Sequence, residues 1–285
     1  MRVLFCTDGS KTSYSSIKNF SYWMPDFTAD VLCAIDWSFL PDTVSIEDSE
    51  FAMQCANSAN SILDYSEKYL KENNIKIGQK IKMCGSTVDC IVETSEKNQY
   101  DFIVLGSHGK KGIQKWLGSV SQEIASIVNN STYISKMSNN RKKVLFAVDS
   151  SDISPAVVAK ALESFDFTDK EIYLATVYDL PEYLFLEGNI DTNWILEIQK
   201  KQETASMILL NKYENMFKEK ELEISGKSVL SGTPAEEINN YITKRAIDLV
   251  VCGIRNRKYL SRFLLSSVSK RILESANSDV LIIRP

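Results

Sequence analysis

The chain has 285 residues, 44% of them hydrophobic, which suffices for two ordinary domains of about 140 residues, each with its own core. Its 33 basic and 37 acidic residues give a net charge of −4, and no basic stripe carries interleaved aromatics, so a surface built mainly for nucleic acid is excluded. No apolar run approaches the roughly 18 residues of a membrane span and no charged-then-apolar leader opens the chain, so the expectation is a cytoplasmic protein that binds neither nucleic acid nor membrane.

Taken in chain order, the first half alternates apolar runs with helical periodicity. Strands are expected near residues 3–7, 31–35, 75–83, 102–106 and 132–135, and helices near 12–23, 51–73, 88–98 and 119–129. In the longest of these helices Ala52, Cys55, Ala56, Ala59, Ile62, Leu63 and Leu70 recur at steps of three and four, which predicts one buried face. The order β-α-β-α-β-α-β-α-β points to an α/β fold, a parallel sheet with helices on its faces.

The same pattern then returns. Arg2-Val3-Leu4-Phe5-Cys6-Thr7-Asp8-Gly9-Ser10 is echoed by Lys143-Val144-Leu145-Phe146-Ala147-Val148-Asp149-Ser150-Ser151, and residues 100–106 by 247–253. A duplication of this kind decides the architecture before any motif is interpreted. The seam is the polar stretch Ser138-Asn139-Asn140-Arg141-Lys142, which divides the chain into domains at 1–138 and 139–285.

The phrase Gly106-Ser107-His108-Gly109, followed by Gly118-Ser119, comes straight off an apolar strand and leads into a helix. Glycines let the backbone approach a ligand without a Cβ in the way, and Ser119 is placed to cap a helix whose free N–H groups would face an anion. Asp8, just past the first strand, reads equally as a ribose acceptor and as a turn aspartate. In parallel sheets ligands bind beyond the carboxyl ends of the strands where the order reverses, and both features fall on that edge.

Six cysteines at irregular spacings read as reduced core thiols, and Cys84 with Cys90 lacks the second pair that a zinc site would need. His108 is the sole histidine and has no identifiable nucleophile and acid around it, and no Gly-x-x-x-x-Gly-Lys-Ser/Thr loop occurs. A metal site and a catalytic assembly are therefore not expected. These residues therefore give no reason to expect an enzyme.

The duplicated opening strands ending in Asp8-Gly9-Ser10 and Asp149-Ser150-Ser151, with Gly106-Ser107-His108-Gly109 and Gly118-Ser119-Val120-Ser121, resemble the universal stress protein family over nearly the whole chain. The resemblance implies two tandem Rossmann-like domains of the adenine nucleotide alpha hydrolase type, each with a five-stranded parallel sheet. It also implies ATP, with or without Mg²⁺, as cofactor. Carried over residue by residue, Gly106, Gly109, Gly118 and Ser119 fall on the phosphate positions, Val120 and Ser121 extend that helix start, Asp8 falls on the ribose position, and Cys6 and Ile35 line the adenine pocket.

Two departures stand out. Eight residues separate Gly109 from Gly118 where the family pattern has nine. In the second half Asn256 and Ser266 replace the second and third glycines, so the expectation there is a degenerate site with a basic loop (Arg255, Arg257, Lys258, Arg262) and a helix capped by Ser267. The implied function is an ATP-binding stress-response or signalling regulator with nucleotide in the first domain; the alternative is a scaffold that keeps the fold and binds a protein partner instead. The apolar runs 132–135 and 280–283 suggest pairing of the two domains through their last strands as an intramolecular pseudo-dimer, with a homodimer of tandems also open.

Overall fold

Strands that are apolar at consecutive positions need cover on both faces, and those that alternate with lysine can stand at an edge. Both kinds occur. The computed structural model describes residues 1–36, 49–107, 117–136, 140–181, 192–254 and 265–285, folded as two compact units, Met1–Met137 and Ser138–Ile283.

The first unit runs β1 (Arg2–Cys6), α1 (Lys11–Ser21), β2 (Thr28–Ile35), α2 (Ser49–Glu72), β3 (Lys76–Cys84), α3 (Thr87–Lys97), β4 (Phe102–Gly106), α4 (Ser119–Ile127) and β5 (Ser131–Ser135). Its strands lie in the order β3-β2-β1-β4-β5, all parallel. Val3, Leu4 and Phe5 of β1 and Phe102, Ile103 and Val104 of β4 are fully buried, whereas β3, with Lys76, Lys80 and Lys82, is mostly exposed. Phe20 of α1 packs its ring 5.2 Å from Phe27, 5.8 Å from Phe102 and 5.2 Å from Tyr133, clamping the helix to the sheet.

The second unit repeats this with β6 (Lys143–Ala147), α5 (Ser154–Ser164), β7 (Glu171–Tyr178), α6 (Thr192–Lys218), β8 (Ile224–Ser231), α7 (Pro234–Arg245), β9 (Leu249–Cys252), α8 (Ser267–Ser275) and β10 (Asp279–Ile282). The strand order is β8-β7-β6-β9-β10, again parallel. Phe146 takes the central place, with its ring 5.4 Å from Phe167 and 4.9 Å from Phe217.

The expected elements are therefore present, with one difference in packing. Burial along α2 begins only at Ala59 among the described side chains, with Ala56 and Ile62 half-buried; Ala52 and Cys55 lie outside the described side chains. In α6 it begins only at Leu210.

At the amino-terminal edge of the first sheet, buried Asp30 accepts from Arg2 Nη2 at 2.6 Å, Arg2 Nε at 3.1 Å, Tyr100 Oη at 2.9 Å and the Gln79 amide at 2.8 Å. Four donors fully satisfy this carboxylate. It is a structural tie at the edge opposite the strand carboxyl ends.

Candidate functional site

From β1 the chain proceeds to β2 and β3 on one side and then returns to place β4 and β5 on the other, so the order reverses between β1 and β4. Such reversals open a crevice at the strand carboxyl ends, because the connections on either side leave in opposite directions. Here the crevice is framed by the turn after β1, the end of β4 and the start of α4. The Gly118 amide donates to the Ser107 carbonyl at 2.5 Å, fixing the helix start over the strand end.

The turn after β1 is closed by its own side chains. Asp8 Oδ1 accepts from the Ser10 amide at 2.9 Å, Thr7 Oγ1 accepts from the Gly9 amide at 3.0 Å, and Ser10 caps α1 by accepting from the Ser13 amide at 3.2 Å. Gly9 has φ +76°, and a Cβ there would meet Ile62 Cγ1 at 3.0 Å, so glycine is required twice over. Asp8 thus performs the turn role that its sequence allowed, while staying exposed at the crevice.

The remaining expected site residues separate into two groups. Gly106 lies where α1 crosses β4: a Cβ would sit 3.2 Å from the Ser13 nitrogen and from the Thr12 carbonyl carbon and oxygen. Ser121 is buried and donates its hydroxyl to the Gly106 carbonyl at 2.7 Å. Cys6 is a core thiol whose pKa burial pushes well above its ordinary range, which leaves it inert as a nucleophile. Ile35, half-buried at the end of β2, accepts the Gly85 amide on its carbonyl at 3.0 Å. Gly106, Ser121 and Cys6 have packing reasons for their identity, whereas the Ile35 contact is made by its backbone alone. Ser119, exposed, and Val120, half-buried, open α4 with no such reason. His108, Gly109 and the basic residues Lys110, Lys111 and Lys115 lie outside the described residues.

One expectation is corrected here. Ser119 is the first helical residue, not the cap; the cap position is Gly118, at φ −66° and ψ 144°, and no side chain caps the helix there. Among the described residues no side chain accepts from the first amides of α4, an arrangement suited to an anion at a helix start.

The second unit provides an internal control. Asp149 makes the same turn, accepting from the Ser151 amide at 3.1 Å, and Ser269 donates to the Gly253 carbonyl at 2.6 Å as Ser121 does to Gly106. A Cβ on Gly253 would meet Val157 Cγ2 at 2.8 Å, so the retained glycine again serves packing against the first helix of the unit. What differs is the cap. Ser266, not Ser267 as its sequence position suggested, caps α8 by accepting from the Ser269 amide at 2.9 Å, filling the place that Gly118 leaves open in α4. The crevice itself persists as a cavity of about 380 Å³ at the ends of β6, β7 and β9. Asn256 and the basic residues of that loop lie outside the described residues.

No cluster of three potential metal ligands occurs among the described residues. Lys80 and Lys82 of β3 reach Asp64, Glu67 and Asn60 of α2, while Met83 Sδ accepts from Thr94 of α3. Cys6, Cys33, Cys90 and Cys252 are buried free thiols, as expected, but Cys84 is exposed. Among the described residues no helix is long and apolar enough to cross a membrane.

Comparison with known proteins decides the family. The sequence model of the universal stress protein family matches twice, at residues 1–136 and 140–284. The chain belongs to the universal stress protein family. A universal stress protein of Methanocaldococcus jannaschii is 30% identical over 146 residues, 51% of this chain and 84% of that protein. A universal stress protein of Archaeoglobus fulgidus shares the fold over 100% of this chain and 98% of its own, with a TM-score of 0.68 at 19% identity. A functionally unknown protein of Pseudomonas aeruginosa does so with a TM-score of 0.69 at 11% identity, over 100% and 92% of the two chains. The tandem arrangement of this universal stress protein is thus shared along its whole length with solved structures.

Proposed function

We propose that the first unit of this universal stress protein binds ATP and that the chain acts as a nucleotide-dependent regulator in a stress or signalling response. The observation that supports this reading is the bare start of α4. Gly118 supplies no capping side chain where the duplicate has Ser266, and the first amides of α4 are left for phosphate oxygens. In this reading Gly109, Gly118, Ser119 and Val120 surround the phosphates, Asp8 takes a ribose hydroxyl, and Cys6 and Ile35 border the base. Gly106 and Ser121 hold the strand end and helix start in register. A Mg²⁺ ion carried by the nucleotide would neutralise phosphate charge, and no step of chemistry on the nucleotide is assigned.

A second reading, a scaffold for a protein partner, has its own support: Gly106, Ser121 and the Asp8 turn are explained by packing in both units, ligand or none. The two separate on one assay. Protein purified without added nucleotide is denatured and the supernatant chromatographed, then the native chain is titrated with ATP and Mg²⁺. Released adenine nucleotide or saturable heat supports the regulator, and absence of both at millimolar ATP leaves the scaffold.

A further inference from the structure

Behind the start of α4 the first unit carries a line of buried polar groups. Asn19 of α1, only 1% exposed, donates its side-chain amide to Ser135 Oγ at 2.8 Å. Ser135, the last residue of β5, accepts the Ser107 amide on its carbonyl at 2.9 Å, and the Ser107 carbonyl in turn accepts the Gly118 amide at 2.5 Å. Asn19, Ser107 and Ser135 are all buried. Successive hydrogen bonds thus run from α1 through the ends of β5 and β4 to the residue that opens α4.

The duplicate builds the same fold without this line. Aligning α1 with α5 through their buried serines, Ser13 and Ser154, sets half-buried Lys160 against Asn19, and the strand registers set Ile283 against Ser135 and Ile254 against Ser107. Ile283 and Ile254 are buried and their side chains can neither donate nor accept, yet β9, β10 and α8 form. Among the described residues no backbone bond joins Ile254 to Ser266 as Ser107 is joined to Gly118. A buried amide and a buried hydroxyl both lose water on folding, and the bond between them offsets little more than that loss, so an apolar pair of similar shape would hold a helix on a sheet as well or better. Stability therefore does not account for Asn19 and Ser135. Placement does: a hydrogen bond fixes distance and direction where apolar contact allows sliding, and a helix start that must meet a ligand to within about 0.5 Å needs such support from behind.

We propose that Asn19, acting through Ser135 and Ser107, is a positioning residue that sets the start of α4 for phosphate. The inference rests on the reading of the first unit as a nucleotide site. The full chain is titrated calorimetrically with ATP and Mg²⁺, and melted without nucleotide, as wild type, Ser135→Ala and the double variant Asn19→Leu with Ser135→Ala. Because the double variant removes both ends of the bond, its melting midpoint is expected at or slightly above that of wild type while its ATP affinity falls about five- to tenfold. A pair that served the fold alone would lower the midpoint and leave the affinity. Added to Gly118→Ser, the same two substitutions should cause little further loss, since the line ends at that helix start. Wild-type ATP affinity in the double variant overturns the proposal, as does a fully additive loss with Gly118→Ser. Should the double variant fold poorly, Ser135→Ala cuts the same link with the least change of shape and is judged by the same two outcomes. Wild type that binds no ATP removes the first-unit reading and this inference together; ATP binding that neither variant weakens removes this inference alone.

Discussion

Gly106 and Gly118 look alike in the sequence and differ in physics. Gly106 is held by the backbone of Thr12 and Ser13, 3.2 Å from where a Cβ would lie, and its counterpart Gly253 survives in a unit whose glycine loop has otherwise changed. Gly106→Ala should therefore destabilise the chain by about 1–3 kcal/mol in denaturant titrations with no nucleotide present, the scale of overpacking a closed contact. Gly118, at an ordinary φ of −66°, needs no glycine for its backbone, and its value lies in what it leaves uncovered. A motif records both residues as glycines and cannot distinguish a packing constraint from clearance for a ligand. Another glycine carried no signal at all in the sequence: a Cβ on Gly78 would lie 2.0 Å from Asp30 Oδ1, which is pinned by the Gln79 amide. Gly78→Ala should break that buried tie at a cost of about 3 kcal/mol or more, read as a fall in the denaturation midpoint, because it uncouples the carboxylate from its donors.

Between elements, α2 and β3 are joined on an exposed face by Lys80, which reaches Glu67 at 2.8 Å and Asp64 at 2.9 Å. Hydrogen bonds from Lys71 and Lys80 hold the Glu67 carboxyl down at about 2, below its ordinary 4.5. A carboxylate whose folded pKa is depressed adds stability that is complete above pH 4.5 and is lost as pH falls from there through about 2. Glu67→Gln should accordingly lower the denaturation midpoint slightly at pH 7 in low salt, with the gap closing near pH 2 and shrinking in 1 M salt, since exposed pairs are screened. The elements themselves were legible from periodicity, as in the unbroken apolar run of residues 102–105, whereas the edge place of the Lys-rich β3 emerged only with the fold. Helix starts were not legible. Whether Gly118 or Ser119, Ser266 or Ser267, is the cap depends on where the backbone leaves the extended region, which neighbouring polar residues do not fix.

At the scale of the whole molecule the duplication was the most legible feature, because two copies of one pattern reveal both a shared fold and the places where selection for packing ends. The conserved pair of bonds from Ser121 to Gly106 and from Ser269 to Gly253 belongs to the fold; the change from Gly118 to Ser266 does not. A ligand held by one unit stabilises that unit alone, by about 2.7 kcal/mol at a hundredfold excess over Kd. Hydrogen exchange with saturating ATP should thus slow at the ends of β1 and β4 and in the first turn of α4, and stay unchanged at the start of α8. The most direct test installs the second unit's cap in the first. Calorimetry with ATP and Mg²⁺ on wild type and Gly118→Ser should show saturable binding in wild type and at least tenfold weaker binding in the variant. The variant should melt no lower, since serine caps a helix as well as glycine or a few tenths of a kcal/mol better. Equal ATP affinity in the two proteins, or none in wild type, would contradict the account.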